Sequence, residues 1–241
     1  MKSPVESLIE DLVDANRILA HLGVCDAFGH VSGRHPEKPN NFLLARNLAP
    51  GLVTASDLVE YDVATGEALG SNPPRLYLER FIHSEIYRAR PDVMAVVHNH
   101  SPAVIPFTVA RGTRFRPVCH MSGFLGAGAP LFEIRDAVGD GSDILIRDRP
   151  LGTALASRLG DARVVLMRGH GCTVVAESVR LAVYRAYYTE VNARLQLQAQ
   201  QLGEVEALTT AESEAAMRST EGQIDRPWNL WRNQARAATA A

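Results

Sequence analysis

Two short apolar runs that each end in histidine constrain this chain more than any other feature of it. The first, Val93-Met94-Ala95-Val96-Val97, leads into His98-Asn99-His100, and the second, Val164-Val165-Leu166-Met167, leads into Arg168-Gly169-His170-Gly171. Apolar, β-branched runs of this length read as buried strands. Side chains alternate along a strand, so His98 and His100 project from one face, about 6.6–6.8 Å apart. Two imidazoles so placed can close on one divalent ion, and packing gives an apolar strand no reason to end this way. Glycines on both sides of His170 let the backbone turn sharply and approach a ligand. Each signal alone has an ordinary explanation, since a lone histidine is commonly a satisfied core residue and Gly-His-Gly a tight turn. Two buried strands with the same ending point to three neutral imidazoles that leave coordination positions open for substrate, a set suited to Zn, Mn, Fe or Co. Glu79 begins the helix that feeds the first strand. By itself it is a partner for the helix dipole; beside a metal it becomes a fourth ligand or a general acid/base.

The rest of the chain supplies a frame for these residues. Apolar residues from Leu8 to Leu22 recur with a helical period, and Gly23 supplies a stop. Strands are expected at about 28–33, at Asn41–Arg46 and at Leu58–Val63, the last entering an Ala-Thr-Gly turn. Helical patterns cover Leu76–Arg90, Asp148–Leu159 and a long stretch at about Ser178–Gln201. The long helix carries Leu181, Tyr184, Tyr188, Val191 and Leu195 on one side. Further strands are expected at Phe115–His120, at Leu131–Ile134 and, returning after the Gly-His-Gly turn, at Val174–Val175. The tail from about residue 203 to 241 is polar and weakly patterned until Trp228 and Trp231, the only tryptophans. Those two large side chains imply that the tail docks, on its own core or on a neighbouring subunit, where they would also be placed to close a pocket. No linker divides the sequence, so residues 1–241 read as one domain.

Composition narrows the function. Twenty-five Lys plus Arg against 27 Asp plus Glu give a formal charge of −2, without the basic footprint of a nucleic-acid binder. No run reaches the 18 or so apolar residues of a membrane span, and the acidic start lacks the apolar stretch of a signal peptide. Three scattered cysteines suit a reducing compartment, so a cytoplasmic protein is expected. Cys172 is read as a small core residue beside a tight turn.

The ordered set Glu79-Arg80-Phe81-Ile82-His83, Arg90-Pro91-Asp92, Ala95-Val96-Val97-His98-Asn99-His100-Ser101 and His170-Gly171 resembles the class II aldolase/adducin family, over most of the chain. The resemblance implies a three-layer α/β/α fold with a central, largely antiparallel sheet, and a homotetramer with active sites between subunits. It also implies one divalent metal ion per subunit on His98, His100 and His170, Mn2+ or Zn2+ before Fe2+ or Co2+, with Glu79 as acid/base. Sugar-phosphate aldolases of the family bind phosphate through hydroxyl-rich turns. Here those positions hold Gly29-His30-Val31-Ser32, Ala45-Arg46-Asn47-Leu48-Ala49-Pro50-Gly51 and Tyr77-Leu78, too poor in clustered donors for a phosphate. The tyrosine expected after the mid-chain histidine is also missing, because Met121 follows His120.

The sequence is more similar to the branch of hydroxy-methylpyridine-dicarboxylate and dihydroxyphthalate decarboxylases. That likeness rests on Leu76–His83, Met167–Gly171, Tyr188–Arg194 and Asp225-Arg226-Pro227-Trp228. It implies a metal-dependent, non-oxidative decarboxylase of an aromatic acid with a hydroxyl ortho to the departing carboxylate. Glu79 would return the proton to the ring. Arg46 is placed to pair a second carboxylate, and His30, His120, Ser32 and Tyr188 are candidates for binding the substrate. The alternatives are a retro-aldolase of a non-phosphorylated hydroxy-keto acid, a non-haem iron oxygenase, and an adducin-like interaction module. The last is opposed by the intact set of three histidines and Glu79.

Overall fold

The computed structural model describes residues 2–240. Helix α1, Pro4–His21, starts at a reciprocal cap in which the Ser3 hydroxyl accepts from the Glu6 N–H and the Glu6 carboxylate accepts from the Ser3 N–H. Leu12, Ala15, Ile18 and Leu19 form its buried stripe, at helical spacing. Seven strands follow: β1 His30–Arg34, β2 Asn41–Ala45, β3 Leu58–Asp62, β4 Ala95–Asn99, β5 Leu131–Phe132, β6 Val164–Met167 and β7 Gly171–Ala176. They form one sheet in the order β3-β2-β1-β4-β7-β6-β5, antiparallel throughout except for β5 beside β6.

Alternation along the central strands decides the layers. Ala95 and Val97 of β4, Val164 and Leu166 of β6, and Cys172 and Val174 of β7 pack into one cluster with α1. Val96, Val165, Met167 and Val175 point the other way, against α2 (Arg80–Ala89) and α5 (Arg149–Leu159). Both sheet faces are therefore covered, giving an α/β fold of three layers. Helix α6, Val179–Leu202, lies with α1; the short α3 (Ile105–Val109) and α4 (Arg135–Val138) sit in connections. Among the described residues, no helix is long and apolar enough to cross a membrane.

Four expectations need correction. Helix α2 begins at Arg80, not Leu76, because residues 76–79 are drawn away from helical geometry and the Tyr77 hydroxyl donates to the Leu48 carbonyl. The apolar segment Phe115–His120 is extended but joins no sheet. Four of its backbone bonds run to amide side chains of α6: Asn192 takes the Val118 N–H at 2.8 Å and donates to the Arg116 carbonyl, while Gln196 takes the Arg116 N–H and donates to the Arg114 carbonyl; the Phe115 and Pro117 carbonyls accept from the Ala129 and Leu208 N–H groups. For that reason the buried side of α6 includes Asn192, Ala193 and Gln196, and Leu195 is 38% exposed. Finally, the tail, weakly patterned in sequence, is helical over most of its length. It forms α7 (Thr210–Glu221), with a Thr209–Glu212 capping box, and α8 (Asp225–Ala240). Trp228 and Trp231 are buried in the cluster that contains α1 and α6, and Arg236 pairs with Asp14 of α1 at 2.7 Å.

Candidate active site

Sheet topology brings the two histidine-bearing endings together. Strands β4 and β6 are not neighbours; β7 lies between them, antiparallel to both. The β6–β7 turn folds His170 back across the end of β4. Close approach there depends on Gly171, since a Cβ on it would stand 2.0 Å from the Asn99 carbonyl oxygen and 2.9 Å from the His100 Cα.

The Nε2 atoms of His98, His100 and His170 form a nearly equilateral triangle with sides of 3.2, 3.2 and 3.1 Å. Ligands about 2.1 Å from a tetrahedral ion are separated by roughly 3.4 Å, so this spacing suits three nitrogens sharing one cation. Each outer nitrogen is engaged in a way that leaves Nε2 free as a ligand. His170 Nδ1–H donates to the Ile144 carbonyl at 2.9 Å, and His100 Nδ1–H to both Asp26 oxygens at 3.1 and 3.2 Å. His98 Nδ1–H meets the Thr173 hydroxyl at 3.3 Å, and that hydroxyl donates onward to the Met167 sulfur. Ile144 holds its position at a φ of 60°, a strained conformation for a β-branched residue.

Glu79 completes the set. Its Oε2 lies 3.6 Å from His98 Nε2 and 3.5 Å from His170 Nε2, and its Oε1 accepts the Ile146 N–H at 2.9 Å. One atom from each of the four residues falls within a 4.8 Å cluster, three of the residues being buried. Burial, then the neighbouring imidazoles, hold the His98 pKa well below the ordinary histidine value, so it stays neutral. Burial acts in the same direction on His170, but the Glu79 hydrogen bond and charge outweigh it and raise that pKa. The donor set is thus three imidazole nitrogens beside one carboxyl group, which fits a divalent ion of the Zn, Mn, Fe or Co type.

The substrate candidates separate. His30 is paired across the sheet with His98, and the rings lie 5.1 Å apart. Arg46 donates from Nε to Asp57 at 2.7 Å, and its terminal nitrogens have no partner among the described residues. Ser32 does not reach the site: it is fully buried, with its hydroxyl between His83 Nδ1 and the Tyr87 hydroxyl. His120 and Tyr188 are not brought to the histidine cluster either. They line a separate cavity of about 660 Å³ with Tyr184, Tyr187 and Trp231. Cys172 is fully buried, and burial pushes its thiol up to about 12, so it is no nucleophile.

Asp26, Ile144, Ile146 and Thr173 escaped sequence reasoning because nothing local marks them; each is recruited from a distant segment. His83 did carry a signal. It lies four residues after Glu79 and four before Tyr87, a line of hydrogen-bonding side chains at helical spacing.

Residues 10–197 match the model of the class II aldolase and adducin N-terminal domain. The chain is 39% identical to decarboxylase tropJ of Talaromyces stipitatus, covering 96% of this chain and 95% of that protein. It is 36% identical to a 3,4-dihydroxyphthalate decarboxylase of Arthrobacter keyseri, over 80% of this chain and 79% of that one. The solved structure of L-fuculose 1-phosphate aldolase from Glaciozyma antarctica superposes with a TM-score of 0.79 at 22% identity, covering all of this chain and 94% of that one, a likeness of fold. The chain is therefore a lyase of the class II aldolase and adducin family, and belongs with its decarboxylase branch.

Proposed function

We propose that the chain is a divalent-metal-dependent, non-oxidative decarboxylase of an aromatic acid carrying a hydroxyl ortho to the departing carboxylate. The triangle of Nε2 atoms faced by the Glu79 carboxylate carries this reading. Support for the substrate class comes from the dihydroxyphthalate named for one relative and from the lack of phosphate-binding hydroxyls here. His98, His100 and His170 would hold the ion, Mn2+ or Zn2+ before Fe2+ or Co2+. When bound, it supplies a Lewis acid that draws electron density from the ring through the phenolic oxygen.

The chain's own groups do the rest. Loss of CO₂ breaks the ring–carboxyl bond and leaves its electron pair on the ring carbon. Glu79, anchored through Oε1 by the Ile146 N–H, delivers a proton to that carbon from Oε2 and is reprotonated from water. His30 orients the substrate beside His98, and the free terminal nitrogens of Arg46 pair a second carboxylate. We extend the reading to one catalytic domain working in the cytoplasm as a homotetramer. Free Cys25, Cys119 and Cys172 support the compartment, and exposed Phe28, Leu78 and Leu195 offer apolar surface that further copies would cover.

Removing metal with a chelator and restoring Mn2+ or Zn2+ should abolish and then recover CO₂ release from an ortho-hydroxy aromatic diacid. Full activity of the metal-free protein overturns the proposal. Pyruvate release from a hydroxy-keto acid would establish a retro-aldolase instead, and oxygen consumption with bound iron an oxygenase. Glu79→Gln should keep the folded structure and lower turnover by about two orders of magnitude or more.

A further inference from the structure

Behind the ligand cluster lies a buried chain of hydrogen bonds that the decarboxylation scheme does not use. His30 Nδ1 meets His83 Nε2 at 2.7 Å, His83 Nδ1 meets the Ser32 hydroxyl at 2.6 Å, and that hydroxyl meets the Tyr87 hydroxyl at 2.7 Å. All four residues are at most 2% exposed. The sheet face explains their meeting: His30 and Ser32 project from β1 toward α2, where His83 and Tyr87 stand one turn apart. His83 is neutral, burial having pushed its pKa down to about 3, so it must donate at one nitrogen and accept at the other.

The polarity of the chain follows from counting protons. If His30 donated to His83 and His83 to Ser32, Ser32 would donate to Tyr87. The phenolic proton would then be buried without an acceptor among the described residues, at a cost typical of an unmade hydrogen bond. In the opposite sense every proton inside the chain has an acceptor: Tyr87 donates to Ser32, Ser32 to His83 Nδ1, and His83 Nε2–H to His30 Nδ1. His30 is then left with its proton on Nε2, which bonds no protein group among the described residues but, unlike the Tyr87 hydroxyl, is not sealed from solvent.

We propose that the Tyr87–Ser32–His83 chain locks His30 as the Nε2–H tautomer, making it a hydrogen-bond donor to a substrate oxygen and barring it from the metal-ligand set. His83 is accordingly a positioning residue. The consequence is a division of labour among four neighbouring histidines. Three carry the proton on Nδ1 and offer Nε2 as a ligand, while His30 carries it on Nε2 and offers a donor. The donor role rests on the proposed reaction; the tautomer does not.

Two measurements separate them. Long-range ¹H–¹⁵N spectra of the full-length, metal-free protein, assigned for His30 by loss of its signals in His30→Gln, should show a protonated Nε2 and a bare Nδ1. A proton on Nδ1 overturns the proposal outright, whatever the enzyme catalyses. Kinetics with the hydroxy diacid then test the donor role: His83→Leu should raise KM about tenfold or more with kcat changed less than threefold, the scale of one hydrogen bond to a charged group. His83→Gln, whose amide can both accept from Ser32 and donate to His30, should restore KM. Equal KM in His83→Leu and the unmodified enzyme overturns the donor role. If His83→Leu does not fold, Tyr87→Phe takes its place; it should leave His30 as a mixture of tautomers, and an unchanged single tautomer refutes the chain's part in fixing it.

Discussion

Replacing Asp26 by Asn isolates one supporting contact of the candidate metal centre. Asp26 accepts His100 Nδ1–H with both oxygens, at 3.1 and 3.2 Å, and its Oδ1 also takes the N–H groups of Phe28 at 2.8 Å and Gly29 at 3.1 Å. Burial works to raise its pKa, but the Phe28 N–H, His100 and the Gly29 N–H outweigh it and hold the group ionised. The substitution keeps an oxygen for the two backbone donors, so the loop stays in place, and removes the charge that would make His100 a stronger donor to an ion held there. Carboxylates in this position are worth about 10- to 100-fold in metal affinity. The Asp26 side chain is 49% exposed, so solvent screens it and the lower end applies: about tenfold, or ~1.4 kcal/mol. Competition for Zn2+ between the metal-free protein and a chromophoric chelator measures the ratio directly. An affinity within twofold of the unmodified protein, with an unchanged circular dichroism spectrum, would refute the claim that Asp26 prepares His100 as a ligand.

Two further outcomes follow from the geometry. Gly171→Ala should destabilise the fold by about 1–3 kcal/mol, because its Cβ would collide with the Asn99 carbonyl, and should weaken metal binding by displacing His170 from His100. Urea titration and metal content check both, and a variant as stable and as metal-rich as the parent contradicts the close strand approach. His83 sets a pH dependence. Its folded pKa of about 3 lies below the unfolded value near 6.5, so the unfolded chain binds the extra proton in between. Stability should fall as pH drops from about 6.5 toward 3, by up to ~1.4 kcal/mol per unit from this group. His83→Gln should flatten that slope in urea titrations at pH 7, 6 and 5; an identical slope in both proteins removes His83 as its source.

The clustering of the candidate site was legible in part because the residues that meet there sit where local pattern is strong. His98 and His100 end a β-branched strand, and His170 is framed by glycines, so both period and turn chemistry mark them. Glu79 stands at the entry to a helix that amphipathic spacing reveals. What was not legible depends on partners far away in sequence. Ser32 reads as a polar strand residue and a candidate for binding substrate, and only the register of β1 against β4 shows that it faces α2 and meets His83. His120 and Tyr188 line a cavity apart from the histidine cluster within one chain, a placement that no local pattern announces. The tail hid its helices for a related reason: α7 is polar on most of its surface, and α8 is anchored by Trp228 and Trp231, which pack in the cluster that contains α1 and α6.

The segment from Arg114 to Val118 misled by the same logic, and its solution has a consequence for how the protein survives in solution. A stretch outside any sheet with open N–H and C=O groups is a template on which another chain can add a strand. Asn192 and Gln196 occupy four of those groups from a helix, and the backbone N–H groups of Ala129 and Leu208 take the Phe115 and Pro117 carbonyls, so fixed partners stand in place of a repeating ladder. A ladder can slip by two residues and be extended by a stranger; a pair of amides one turn apart recognises a single alignment and offers nothing beyond it. Asn192→Leu or Gln196→Leu would thus leave the local packing apolar while reopening a sticky edge, and the first symptom would be self-association during refolding.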